Sequence, residues 1–186
     1  MTTLSIFDQD APETPRVVTE EAGKIANLLA DHGIRFERWT TRDLPADASQ
    51  EDILEAYAGE IQALRDQFGF QAADVISLNP DNPQKDAFRQ KFIDEHIHSE
   101  DEVRFFVRGQ GLFYLHLGNQ VFAVMCQKND LISVPHGTRH WFDMGPEPKF
   151  TCIRLFTNPE GWVADFTGED IARKLPRYEA LEQATA

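Results

Sequence analysis

Apolar and polar positions change rhythm along this chain, from a mixture of short strands and helices to an almost unbroken series of strands. Leu4 and Ile6 alternate with polar residues as a short strand, and Pro12 and Pro15 interrupt the pattern. A helical run follows, with Thr19 as its predicted N-cap, Glu20 and Glu21 in the first turn, and Ile25, Leu28 and Leu29 as the apolar stripe. Gly33 suits the position just past its end. Ile34, Phe36 and Trp39 suggest the next strand. Ser49 and Asp52 form a capping-box pattern that opens one helix through Ile53, Leu54, Tyr57, Ile61, Leu64 and Phe68. Val75–Leu78 reads as a strand, and Asn82-Pro83 starts a short helix through about Phe92.

From residue 93 the texture is β. Val103–Arg108 is expected to end at Gly109-Gln110-Gly111, Leu112–Leu117 at Gly118-Asn119, and Val121–Cys126 before Lys128-Asn129-Asp130. Leu131–Val134, Trp141–Met144 and Phe150–Phe156 continue the series. Short strands punctuated by turn signals predict a mainly β sandwich or barrel, with flanking helices that are mostly N-terminal. Beyond Asn158 a short helix is expected near Glu169–Leu175, followed by a fraying tail.

A chain of 186 residues suits one core, so a single domain is expected over 1–186. Within it, 1–92 forms an elaboration, 93–157 the barrel core and 158–186 a C-terminal segment. The formal charge of -13 repels phosphates, which argues against nucleic-acid or anionic-membrane partners and favours a monomer. An anionic substrate would need arginines placed locally. The only cysteines, Cys126 and Cys152, lie in strand-like apolar runs and read as reduced, buried thiols. The first residues lack the pattern of a signal peptide, and no window approaches a membrane span, so a cytoplasmic location is expected.

The chemistry concentrates in His96-Ile97-His98 and in the later Pro135-His136-Gly137-Thr138-Arg139-His140. Residues i and i+2 of a strand share a side, so His96 and His98 can chelate one ion. The polar Ser99-Glu100-Asp101 run is a predicted turn that returns the chain and sets Glu102 across from the pair. Arg104 follows on the face of Glu102, and a polar interior would explain two such charges in an otherwise apolar strand. Three imidazoles and a carboxylate form a donor set for a divalent transition metal such as Fe(II) or Ni(II).

His96-x-His98-x3-Glu102-x6-Gly109 resembles the core of the first cupin motif, and Pro135-x-Gly137-x2-His140 that of the second. Gln90, Asn129 and Met144 depart from the expected flanking residues. Asparagine at 129 is a mild change, since it tolerates the left-handed conformation. More narrowly, Asp101–Phe106, Asn129–Pro135, His140-Trp141-Phe142 and Ile153–Phe156 resemble the acireductone dioxygenase family of methionine salvage, in its bacterial form. The similarity takes in the Asp81-Asn82-Pro83 approach and the Asn158-Pro159-Glu160-Gly161-Trp162 segment.

The resemblance implies a cupin barrel whose metal ligands are His96, His98, Glu102 and His140. It implies one Fe(II) or Ni(II) per chain, with two positions left for water or substrate. The implied substrates are O2 and an anionic enediol, 1,2-dihydroxy-3-keto-5-(methylthio)pentene. The iron form would give formate and 4-methylthio-2-oxobutyrate; the nickel form would give formate, carbon monoxide and 3-methylthiopropionate. Arg104 and Arg154 are expected to bind and orient the anion. Phe92, Phe106, Phe142 and Trp162 are candidates for its apolar tail or for core packing. His136 and His116 are expected at the surface, and Asp101 as a turn former. Another cupin dioxygenase or isomerase, or a non-enzymatic cupin stabilised by metal, remains the alternative.

Overall fold

In the computed structural model, which describes residues 1–158 and 163–184, one strand organises the fold. The elements run β1 (Thr3–Asp8), β2 (Val17–Thr19), α1 (Ala22–Ala30), β3 (Arg35–Arg38), α2 (Gln50–Ala56), α3 (Ala58–Phe68), β4 (Ala72–Leu78) and α4 (Lys85–Phe92). They continue with β5 (His96–Ile97), β6 (Glu102–Leu117), β7 (Gln120–Gln127), β8 (Asp130–Val134), β9 (Arg139–Asp143) and β10 (Phe150–Phe156), then β11 (Asp165–Phe166), α5 (Ile171–Lys174) and α6 (Tyr178–Ala184). All the pairings are antiparallel, and β6 belongs to two sheets. Its first half pairs with β8 and β10, flanked by β3 and β4. Its second half pairs with β7 and β9, and the second sheet runs β11-β5-β9-β6-β7-β1-β2.

The break expected at Gly109-Gln110-Gly111 is therefore a bend inside a 16-residue strand. Thr151 pairs with Arg108 and Cys152 with Phe106, so one residue of β6 is skipped as a bulge. The bulge reverses which residues face inward: Glu102, Arg104 and Phe106 before it, Phe113 and Leu115 after it. Gly109 has φ +70°, and a Cβ there would lie 1.7 Å from the Lys149 carbonyl oxygen. Only glycine lets the backbones approach this closely.

Three apolar clusters follow from this alternation. The inner faces of the two sheets meet around Phe106, Phe113, Phe142, Phe150, Val124 and Ile132, with α1 adding Ile25 and Leu29. Val103, Phe105 and Val107 point outward beneath Ile53, Tyr57 and Ile61 of α2 and α3. Leu112, Tyr114 and Trp141 are covered by Ile171, Leu175 and Tyr178. Helices thus cover both outer faces, and the sheets stay almost wholly apolar.

Several local expectations change. Thr19 ends β2 rather than capping a helix; Glu21 is the N-cap of α1, while the Thr19 hydroxyl accepts from the Glu21 amide at 3.3 Å. The Ser49–Asp52 capping box forms as expected, but its helix stops at Tyr57 (φ -110°, ψ 17°). Tyr57 is fully buried and its hydroxyl takes the Arg42 amide at 2.7 Å, so tertiary packing wins over helical continuity. The helix expected from Asn82-Pro83 begins at Lys85. Asn129 adopts the left-handed conformation (φ 87°) anticipated for it. The tail through Ala184 does not fray: α6 docks through buried Tyr178, and Glu179 binds Arg89. Cys126 and Cys152 are free and buried, and burial pushes both thiols up, Cys152 to about 12. No helix among the described residues is long and apolar enough to cross a membrane.

Candidate metal centre

The register of the second sheet assembles the histidines. His96 of β5 pairs directly with His140 of β9, and His140 pairs with Leu115 of β6. His98 lies just beyond β5, and the Ser99-Glu100-Asp101 bend brings the chain back into β6 at Glu102. Gly137, at φ +73°, donates its N–H to the His98 carbonyl at 2.9 Å, which stitches the two histidine segments together. One ring nitrogen from each of His96, His98 and His140 lies within 4.8 Å of the others, and all three residues are buried.

The opposite ring nitrogens show what this cluster is built to hold. Nδ1 of His96 donates to the Asp94 carbonyl at 2.8 Å, Nδ1 of His140 to Thr138 at 2.7 Å, and Nδ1 of His98 to Val163 at 2.9 Å. A carbonyl only accepts, so each Nδ1 carries a proton and each ring turns Nε2 toward the cluster. Glu102 Oε2 lies 3.2 Å from His140 Nε2 and 3.3 Å from His98 Nε2. Ring nitrogens facing a carboxylate at this range need a cation between them, either a proton or a metal ion. Burial, with the neighbouring His140, pushes His96 down to about 4 and keeps that ring neutral. Burial pushes His98 down as well, but the Glu102 hydrogen bond and charge outweigh it and raise it. The donor chemistry fits a divalent transition metal.

Glu102 is 2% exposed. Burial raises its carboxyl pKa, but the Arg104 charge and the contacts from His140 and His98 hold it well below the usual range. Arg104 Nε lies 2.8 Å from Glu102 Oε1, in an ion pair not aligned as a hydrogen bond. The Arg104 guanidinium is 4.7 Å from the Phe142 ring centre and 5.3 Å from that of Phe113. Beside these groups opens a cavity of about 330 Å³.

Arg154 lines the cavity opposite Arg104 in register, and it is bound in bidentate fashion to Asp74 at 2.8 and 2.6 Å. Phe92 and Phe142 line the cavity as expected. Phe106 does not: it is buried between the sheets, because its side chain falls on the far side of Arg104 along β6. Trp162 and Pro159-Glu160-Gly161 lie outside the described residues. Phe113, Phe156, Asp74 and Lys91 also line the cavity and were missed, since no motif marks them; parity with Arg154 on β10 could have found Phe156, whereas the β6 bulge breaks the parity that would lead from Arg104 to Phe113.

His136 is exposed, and its amide donates to Asp101 at 2.8 Å, so Asp101 links the bend before β6 to the loop between β8 and β9. His116 is not at the surface. It is buried, with Nδ1 2.6 Å from Glu95 Oε2 and Nε2 3.1 Å from Gln9 Oε1, and Glu95 also accepts from Thr167 at 2.8 Å. This network braces the residue just before His96 from behind.

An antiparallel barrel that gathers such donors between its sheets is a metal-binding cupin. Within that class the chain belongs to the acireductone dioxygenase family: residues 3–164 match the ARD/ARD' family. Acireductone dioxygenase of Marinobacter nauticus is 72% identical over 181 residues, covering 97% of this chain and 98% of that protein. The enzyme of the same name from Hahella chejuensis is 61% identical over the same length, with the same coverage of both chains. Among solved structures, acireductone dioxygenase from Bacillus anthracis, with a cadmium ion in its active centre, aligns with a TM-score of 0.78. That match has 30% identity and covers 89% of this chain and 98% of that one.

Proposed function

We propose that this chain is a metal-dependent dioxygenase that cleaves acireductone with O2, and that His96, His98, Glu102 and His140 hold one Fe(II) or Ni(II). The observation that carries this reading is the convergence of three imidazoles, each anchored through Nδ1, and the Glu102 carboxylate at the wall of a cavity that also contains Arg104. The bound ion supplies Lewis acidity, which favours the enediolate form of a chelating substrate. The chain's own residues do the rest. The backbone carbonyls of Asp94, Thr138 and Val163 fix the imidazole tautomers, and Arg104 and Arg154 bind and orient the anion. Phe92, Phe113, Phe142 and Phe156 offer an apolar wall for the methylthio tail and exclude water.

The iron-loaded protein is proposed to yield 4-methylthio-2-oxobutyrate and formate, and the nickel-loaded protein 3-methylthiopropionate, carbon monoxide and formate. Two free buried thiols suit a reducing compartment such as the cytoplasm, and the acidic charge suits a monomer.

The test is oxygen uptake and product analysis with anaerobically prepared acireductone, using separately loaded iron and nickel protein. Uptake with either metal supports the reading, and no uptake with both refutes it. Glu102→Gln keeps the shape of the side chain but loses its charge, and should weaken metal affinity at least about 100-fold. Unchanged metal content after dialysis would remove Glu102 from the ligand set.

A further inference from the structure

The cations around the cavity are not equivalent. Arg104 is matched to Glu102, and Arg154 to Asp74. Lys91 lines the same cavity, and among the described residues no carboxylate forms an ion pair with it. Among the described lining residues the carboxylates are Asp74 and Glu102, each paired with an arginine, so Lys91 is the lining cation that no carboxylate offsets.

Its placement is fixed by the fold. Lys91 lies in the last turn of α4, exposed to solvent, with Nζ 5.8 Å from the Phe92 ring centre. The helix beneath it is anchored: Arg89 binds Asp143 at 2.8 and 3.0 Å and Glu179 at 3.0 and 2.7 Å, while Phe88 and Phe92 pack against the core. A cation on an anchored helix end is presented in one place, so it can act on an incoming anion.

The whole-chain field works the other way. A formal charge of -13 repels an approaching anion, and the two arginines are already neutralised by their carboxylates. We infer that Lys91 is the capture cation of this cavity: it draws a small organic anion, an enediolate or a carboxylate, to the mouth and holds it there without entering the chemistry. This rests on the function proposed above for its substrate, but not for the electrostatics.

Kinetics and equilibrium binding test it together. Lys91→Ala should raise KM for acireductone about three- to tenfold with kcat held, Lys91→Arg should restore KM, and Lys91→Glu should raise it further. The wild-type dependence of kcat/KM on ionic strength should flatten in Lys91→Ala. Lys128→Ala removes the same charge from the β7–β8 turn, away from the cavity, and should leave KM at the wild-type value.

In parallel, calorimetry with nickel-loaded protein measures binding of oxalate, a chelating dianion, at low and high salt. Lys91→Ala should weaken it by a similar factor at low salt. Wild-type oxalate affinity in Lys91→Ala, or equal weakening in Lys128→Ala, would overturn the inference. If the wild type binds oxalate through Lys91 but does not consume acireductone, the proposed function fails and the capture role stands.

Discussion

Arg104 and Arg154 face each other across the β6–β10 ladder as paired positions, yet they sit in different electrostatic settings. Arg104 is buried against Glu102, whose side chain is 3% exposed, whereas Arg154 is bound to Asp74, whose side chain is 34% exposed. The first pair belongs to the charge balance of the proposed metal centre. The second is screened by water and sits at the rim.

Arg104→Ala should therefore do two things. It leaves the Glu102 charge buried without its partner, which should cost about 3–5 kcal/mol in the metal-free protein. A divalent ion restores a counter-charge, so added nickel should raise Tm more in the variant than in the wild type. Turnover should fall about 100-fold or more even when metal is bound, because a donor to the developing anion is gone. Thermal unfolding with and without nickel checks the first claim. Equal metal-induced shifts in both proteins would separate Arg104 from the ion's charge balance.

The bend in β6 predicts a contrast between two glycines that both have positive φ. Gly109→Ala sets a Cβ against the Lys149 carbonyl and should cost about 3 kcal/mol or more. Gly118→Ala, at φ +63° with open space around it, should cost only about 1 kcal/mol. Denaturant titration of the two variants measures the difference, and equal losses would mean that the close approach at Gly109 relaxes.

Arg89 clamps α4 to β9 and to α6. Arg89→Ala strands Asp143, whose side chain is fully buried, and should destabilise the fold by about 3 kcal/mol. The Glu179 arm has a defined pH sign. The Arg89 hydrogen bond holds Glu179 below its ordinary value of 4.5, so its contribution is complete above that value and fades as pH falls through the lower folded-state value. Its side chain is 43% exposed, so screening limits the contribution to about 0.5 kcal/mol. Glu179→Gln should therefore slightly reduce stability near neutrality and flatten the acid limb of the stability curve. An unchanged acid limb would contradict this.

The histidine cluster and the barrel were legible because strand parity, turn glycines and the two histidine segments carry local signals. Asn129 behaved as its left-handed tolerance implied. What stayed hidden depends on tertiary contact. The β6 bulge needs β10 as partner, and the stop at Tyr57 needs the buried hydroxyl contact to Arg42. His116 looked like a surface residue because its partners, Glu95 and Gln9, come from distant parts of the chain. The ordered tail follows from a single cluster around Asp143, Arg89 and Tyr178, which no short window of sequence contains. Lys91 carries no motif; only its position at the cavity mouth distinguishes it.

The three imidazole anchors differ in where they come from along the chain. His96 and His140 are each oriented by a carbonyl two residues earlier, while His98 takes its anchor from Val163. On the ribosome, a nascent chain would therefore have made all four proposed ligands before it could orient the last of them. If these residues hold a metal as proposed, full coordination would wait on the segment that follows the barrel, and the unfinished chain would bind metal ions in the cell only weakly until the fold closes around them.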